Sequence, residues 1–429
     1  MELSIENFGL IARGTVKVEG LTVIAGQNDS GKSTVGKIFF SLVKAISRYK
    51  EDLQEDKNLK LKTIINKTYL TLRRQVNLSE HETLKELFQP DTFFRDINLN
   101  LSSIEDRRNY IDLDSERKLK ESTKIFILKS LDSIDKIISE PTDKKSVINK
   151  AIIKALYSEF KGELFPLGKE VNGESIVSIK DGASKVLDIR FDINGVNNIC
   201  FYDDLGLGYQ DATFVDSPTI IQYHDLIEIS RTVLDEDTRS ILSVPLHIKD
   251  LSNKLRRSVF HMNLFNSYHR LDINLSDVYK GQLQYNEDKA DFILDRGSHK
   301  VSSSNIATGI KSLGILELLI SSGLCGQESL LILDEPEVHL HPKWQLIYAK
   351  MICELVNQGA NIIVTTHSPY MLEALYGYSK KDDLNSHFYR TFSGDDGIEF
   401  SDVSNNIEPV INDLASPIFE LNEELMSDF

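Results

Sequence analysis

The sequence predicts an α/β protein: a mixed sheet with an antiparallel meander, interrupted by an inserted helical lobe. Three observations carry this. The apolar run Leu21 to Ala25 feeds a glycine-rich loop and then a helix with Val35, Ile38 and Phe39. Two later apolar runs, Leu330 to Leu333 and Ile362 to Val364, have the length and continuity of doubly buried parallel strands. Residues 172 to 216 alternate apolar and polar side chains, whereas residues 50 to 165 are charged and poor in glycine.

The loop itself reads Gly26-Gln27-Asn28-Asp29-Ser30-Gly31-Lys32-Ser33-Thr34. Between a strand and a helix, G-x-x-x-x-G-K-[ST] is the phosphate-binding loop of the P-loop NTPases. Gly26 and Gly31 let the backbone curl, so that successive N–H groups along Asn28, Asp29 and Ser30 face phosphate oxygens. The helix beginning at Lys32 brings its positive dipole end to the same point. Lys32 is expected to reach the β- and γ-phosphates, and the Ser33 hydroxyl to take one position on Mg²⁺ with Thr34 beside it. A nucleoside triphosphate is the implied ligand.

Composition bounds the setting. A chain of 429 residues is too long for one simple core. Its 41% hydrophobic and 27% charged content is ordinary for a soluble globular protein. No apolar stretch is long enough to span a bilayer, and the N-terminus lacks a signal peptide's pattern. Cys200, Cys325 and Cys353 are scattered, without metal-ligand spacing, and fit a reducing compartment. The cytoplasm is expected. The net charge of −16 gives no global attraction to nucleic acid, so any DNA contact needs a local patch. Residues 117–154 hold ten Lys/Arg against five acids, a balance of +5. A solvated helix face is the plainer reading of that stretch.

In chain order, residues 1–49 begin the head with two or three strands, and the loop helix runs from Lys32 to about Tyr49. Residues 50–165 form the inserted helical region; Leu128, Leu131, Ile134 and Ile138 recur at helical spacing, and Pro141 stops that helix. Residues 166–218 are the antiparallel part. Asp181-Gly182 and Asn194-Gly195 signal hairpins, and Ala212 to Asp216 is the closing strand before Ser217-Pro218. Residues 219–300 are a helical lobe with short strands around Asp295-Arg296-Gly297. Residues 301–429 complete the head.

That last part holds the second half of the nucleotide site. The strand Leu330-Leu331-Ile332-Leu333 delivers Asp334 and Glu335 at its carboxyl end. There Asp334 can hold Mg²⁺ through water, and Glu335 can polarise an attacking water as general base. Glu337-Val338-His339-Leu340-His341-Pro342 follows; with no third ligand at suitable spacing, His339 and His341 suit an interface loop better than zinc. The helix after it opens near Pro342 and closes at Gly359. Asn361 to Thr366 is then a second buried strand ending at His367, which can reach a γ-phosphate.

Taken together, Ile5-Glu6-Asn7-Phe8 before the loop, Leu331 to Pro342, and Thr365-Thr366-His367-Ser368-Pro369 resemble the ABC-type ATPases, in the soluble RecF/SMC/OLD-like branch of DNA metabolism and phage defence. The resemblance implies that the P-loop fold is of ABC-ATPase type and that ATP with Mg²⁺ is bound. It implies that Lys32 binds phosphate, Ser33 and Asp334 hold Mg²⁺, Glu335 is the catalytic base and His367 the switch histidine. The family's signature turn, which caps ATP on the opposite subunit, is matched by Ile306-Ala307-Thr308-Gly309-Ile310-Lys311; Thr308 and Gly309 become candidate nucleotide contacts. Ala307 stands where the family has a serine. The family's Gln at the strand-to-lobe loop has no clear match: the strand ends Asp216-Ser217-Pro218, with Gln222 further on.

The resemblance implies a homodimer or higher homo-oligomer in which two heads sandwich two ATPs. Only 60 residues follow Pro369, without a further carboxylate-and-glycine cluster for a nuclease. The function expected is therefore an ATPase switch, slow without its partner, controlling a separate nuclease or toxin in antiviral defence. The alternative is a RecF/SMC-like repair ATPase using residues 117–154 on DNA. A transporter subunit and an ATP-binding scaffold fit less well.

Overall fold

A computed structural model describes residues 1–79, 81–99, 103–113, 119–139, 144–164, 174–192, 195–202, 206–232, 243–264 and 273–427. Three strands open the chain, β1 (Glu2–Phe8), β2 (Ile11–Lys17) and β3 (Leu21–Ala25), followed by α1 (Lys32–Gln75). α1 runs well past the expected end near Tyr49. Residues 50–75 contain neither Gly nor Pro, so nothing stops propagation once the first turns are fixed.

Helices α2 (Glu82–Phe88), α3 (Pro90–Leu99), α4 (Ser103–Asp112), α5 (Glu121–Ser139) and α6 (Lys144–Phe160) come next. Leu131 and Ile134 of α5 are buried, with Leu128 and Ile138 packed at the edge of the same core. Pro141 lies outside the described residues, as do Arg117, Lys118, Glu140 and Asp143 of the basic stretch.

Then come β4 (Ser175–Asp181), β5 (Ser184–Asp192), β6 (Gly195–Phe201) and β7 (Asp211–Val215). A region of α7 (Ile220–Ile229), β8 (Arg231–Thr232), β9 (Ser243–Val244), α8 (Leu246–Leu264), α9 (Leu275–Tyr279), β10 (Gln282–Asn286), β11 (Asp291–Asp295) and β12 (Lys300–Ser302) follows. The chain continues through α10 (Thr308–Ser321), β13 (Ser329–Asp334), α11 (Pro342–Asn357), β14 (Asn361–Thr366) and α12 (Pro369–Lys381). It ends with β15 (Ser386–Ser393), β16 (Ile398–Asp402) and α13 (Glu408–Ser427).

The main sheet has eleven strands in the order β6-β5-β4-β1-β2-β16-β15-β3-β14-β13-β7. From β15 to β7 neighbouring strands are parallel; β6 to β2 is an antiparallel meander. The Asp181-Gly182 turn joins β4 to β5 with Gly182 at φ 56°, while Asn194 of the second hairpin lies outside the described residues. One expectation needs correcting. The strand ending at Asp216 does not close the meander: β7 pairs parallel with β13 at the opposite edge of the sheet. Its buried centre, Ala212-Thr213-Phe214, needs cover on both faces, which the parallel half provides.

Two compact units divide the chain, residues 1–47 with 149–429 and residues 48–148. The smaller unit packs Leu72, Phe88, Phe93, Ile111, Ile127 and Leu131 around a buried Arg107. That guanidinium donates to the carbonyls of Leu87 (2.7 Å) and Ser103 (2.9 Å) and to Asp96 (2.7 Å), and lies over the Phe93 ring. Each of the three guanidinium nitrogens thus has an acceptor.

In the larger unit, α1, α8 and the start of β7 are joined by a largely buried square of charges. Lys44 Nζ bonds Asp211 and reaches Asp250 at 2.7 Å, and Lys254 Nζ reaches Asp211 at 2.7 Å and Asp250 at 2.9 Å. Removing one corner leaves two buried ammonium groups with a single carboxylate. Asp250→Ala is expected to cost about 3–5 kcal/mol, read as a lowered urea midpoint at unchanged slope.

Candidate functional site

The site forms where β3, β14 and β13 end side by side. The register pairs Ala25 with Thr366, and Thr365 with Asp334, so three loops leave the sheet at one level. Ligands bind at this carboxyl edge in parallel sheets.

At the end of β3, a Cβ on Gly26 would come within 1.9 Å of Thr391 Oγ1, so only glycine lets the loop lie this close to β15. Thr391 Oγ1 donates to Ser30 Oγ at 2.7 Å and props the loop from below. Asp29 and Gly31 take left-handed backbone (φ 59° and 74°), which turns successive amides the same way. A cleft of about 400 Å³ flanks the loop, bounded by Asn28, Asp29, Thr391, Phe392, Val410 and Leu414.

Lys32 opens α1 with its side chain buried. Its ammonium donates to the Gln27 carbonyl at 2.6 Å and lies 3.6 Å from Glu335 Oε1. Burial lowers its pKa, while Glu335 and Asp334 oppose that shift. Asp334 accepts from Thr365 Oγ1 at 2.5 Å and from the Ser33 hydroxyl; burial raises its pKa against those hydrogen bonds.

Glu335 takes φ 48°, a strained backbone for a residue other than glycine. Its N–H is held by Thr365, through the carbonyl and the hydroxyl, both at 3.1 Å. The strain aims the carboxylate between Lys32 and His367, whose Nδ1 is 3.3 Å from Glu335 Oε1. Glu337 is the clamp beneath. Its Oε1 accepts from Thr366 Oγ1 (2.6 Å), His367 N (2.9 Å) and Ser368 N (3.2 Å). Burial raises the Glu337 pKa.

The structure therefore brings together Lys32, Ser33, Asp334, Glu335 and His367, with Gly26, Asn28, Asp29, Ser30, Gly31 and Thr34 on the same loop. Thr308 and Gly309 open α10, where Gly309 packs against the His339 carbonyl and the Trp344 ring. Among the described residues, no hydrogen bond or ion pair joins them to the loop. His341 caps α11, its Nδ1 accepting from Lys343 N at 3.2 Å. Gln222 is tied to Lys311 Nζ at 2.6 Å.

Ser33 and Asp334 supply hard oxygen donors beside Lys32, the donor type Mg²⁺ takes, and a carboxylate whose pKa burial raises is one a divalent cation would stabilise. The residues fit that ion.

Sequence reasoning missed three supports. Glu337 lay inside the recognised run without a role, because only the folded turn points it inward. Thr391 is remote in sequence. The third is a buried chain beside Asp334: His247 Nδ1 contacts Glu159 Oε2 at 2.5 Å and its Nε2 contacts Asp216 Oδ2 at 3.1 Å. Burial alone would lower the His247 pKa; the bonds to Asp216 and Glu159 outweigh it and raise it to about 9.

Comparison with known proteins gives the following. The model of the AAA ATPase domain family matches residues 1–372. The Septu protein PtuA of Bacillus thuringiensis is 49% identical over 49 residues, which are 11% of this chain and 12% of that protein. Among solved structures, an SMC head domain from Thermotoga maritima aligns over 94% of this chain and 98% of its own, with 10% identity and a TM-score of 0.36. An SmcHead bound to the C-winged helix domain of ScpA aligns over 96% and 98%, with 11% identity and a TM-score of 0.41.

The raised His247 pKa has a consequence for stability. Its contribution is fully present below the unfolded value near 6.5 and is lost as pH rises through about 9. Urea midpoints should therefore fall between pH 6.5 and 9, by up to about 3 kcal/mol in stability, and His247→Gln should flatten that slope.

Proposed function

The chain belongs to the AAA ATPase domain family and is an ATP hydrolase, and from that premise we propose that it is a nucleotide-gated switch acting on a separate effector protein. The observation that carries the reading is the meeting of Lys32, Glu335 and His367 within 3.6 Å contacts at one sheet edge.

In this reading the amides of residues 26–33 and the Lys32 ammonium hold the phosphates. Ser33 and Asp334 would hold Mg²⁺, which when bound would offset charge on the β- and γ-oxygens. Glu335 takes a proton from the attacking water, and the water oxygen bonds to the γ-phosphorus as the bond to the β-bridging oxygen breaks. His367 senses the γ-phosphate from the end of β14. The Glu335 carboxylate lies 3.6 Å from the Lys32 ammonium, and a γ-phosphate would compete for that ammonium and free the base.

Two heads pair through ATP, with Thr308 and Gly309 of one reaching the phosphates of the other. Among the described residues no hydrogen bond or ion pair ties Thr308 or Gly309 to their own chain's loop, which leaves them available for a contact in trans. Ala307 at the helix N-cap offers no side-chain oxygen, which weakens that contact and favours slow turnover by the lone protein. A separate nuclease or toxin in antiviral defence is the effector we favour, and the stretch shared with the Septu protein PtuA supports that setting.

Lys32→Ala should abolish nucleotide binding by the purified protein. Glu335→Gln should keep binding, slow hydrolysis by a factor on the order of 100, and collect an ATP-bound dimer in light scattering. A Glu335→Gln protein that hydrolyses ATP at the parental rate would remove Glu335 from this role. Co-purification from the native host, with ATP present, should recover the effector.

A further inference from the structure

Buried Glu159 and His247 form with the half-buried Asp216 a charged chain that the reading above does not use. β7 runs parallel to β13 with Val215 opposite Leu333, so the next residues, Asp216 and Asp334, leave the sheet side by side. A small cavity of about 20 Å³ lies there, with Asp216, Ser217, Ser312, Asp334 and Glu335 on its polar side and Val215, Ile315, Pro336 and Val338 on its apolar side. That is room for one water with several polar partners. Asp216 Oδ1 is buried and accepts no hydrogen bond from another described residue, while Oδ2 is fixed by His247. His247 is fixed in turn by Glu159, which also accepts the His247 backbone N–H at 2.9 Å.

We propose that Asp216, oriented by the Glu159–His247 pair, is a second carboxylate of the hydrolytic centre and holds the water that Glu335 deprotonates. The proposal rests on the reading of Glu335 as base. A water with one hydrogen on each of two fixed carboxylates has its lone pair directed away from both, toward the phosphorus. One proton passes to Glu335 as the oxygen–phosphorus bond forms. The other stays on the oxygen, hydrogen-bonded to an Asp216 that remains ionised, and ADP leaves with the electron pair of the broken bond. The chain Glu159–His247–Asp216 is an acid–histidine–acid array, in which the two imidazole nitrogens hold the Asp216 carboxylate in place from the Glu159 side.

The test is steady-state ATP hydrolysis by the full chain, with affinity for a fluorescent ATP analogue measured separately. Asp216→Asn should lower kcat at least tenfold with KM and analogue affinity within about twofold, and Asp216→Glu should recover part of the loss. His247→Gln should lower kcat less, again without loss of affinity. Parental kcat in Asp216→Asn, or a loss of affinity that tracks the loss of rate, would overturn the proposal. If Asp216→Asn fails to fold, His247→Gln decides by the same split. Glu335→Gln in the same assay separates the two ideas. An inactive Glu335→Gln beside a fully active Asp216→Asn defeats only this proposal, whereas an active Glu335→Gln defeats the reading beneath it.

Discussion

The constraint on which the rest depends is the parallel registry of β3, β14 and β13. The strand register sets Ala25 opposite Thr366 and Thr365 opposite Asp334, so the three strand ends fall within one residue of each other. Residues more than 300 positions apart in sequence then share a contact shell. The strands are mostly apolar with every interior position buried, and slipping any of them by one residue would turn side chains from one covered face to the other. The site is thus as rigid as the core under it. Function here sits in short loops held by strands that have little freedom to move.

Charge is managed by pairing rather than by exposure. Lys32 faces Glu335; Glu337 collects one hydroxyl and two backbone amides; His247 sits between two acids. Each arrangement keeps a polar group ordered in a poorly solvated place. A site that is to meet a highly charged ligand needs this. Groups that had to rotate or shed water on each encounter would give up most of their electrostatic effect on the reaction.

Much of this was legible in the sequence because its signals are local. The loop pattern, the Asp-Glu end of β13 and the His end of β14 each lie within ten residues and each rests on backbone geometry. The meander was legible through its period of two and its glycine turns. What escaped had nonlocal causes. The true length of α1 depended on an absence of breakers over 26 residues, and the partner of β7 on which edge of the sheet could bury its apolar residues. Glu159, His247 and Asp216 come from α6, α8 and the end of β7, and no spacing rule links them. β15 and β16 also carry weak signals, since Ser386 to Ser393 mixes aromatic, polar and charged residues without a clean alternation.

Those two late strands have a structural consequence of their own. In the order of the sheet they stand between β2 and β3, so they are the seam joining the antiparallel half to the parallel half. The family match ends at residue 372, before either strand begins. A chain cut at that boundary would retain every motif residue and yet consist of two half-sheets with open, facing edges. Where Thr391 now braces the floor of the glycine loop there would be solvent, and the bared edges of β2 and β3 would be free to stitch onto other molecules.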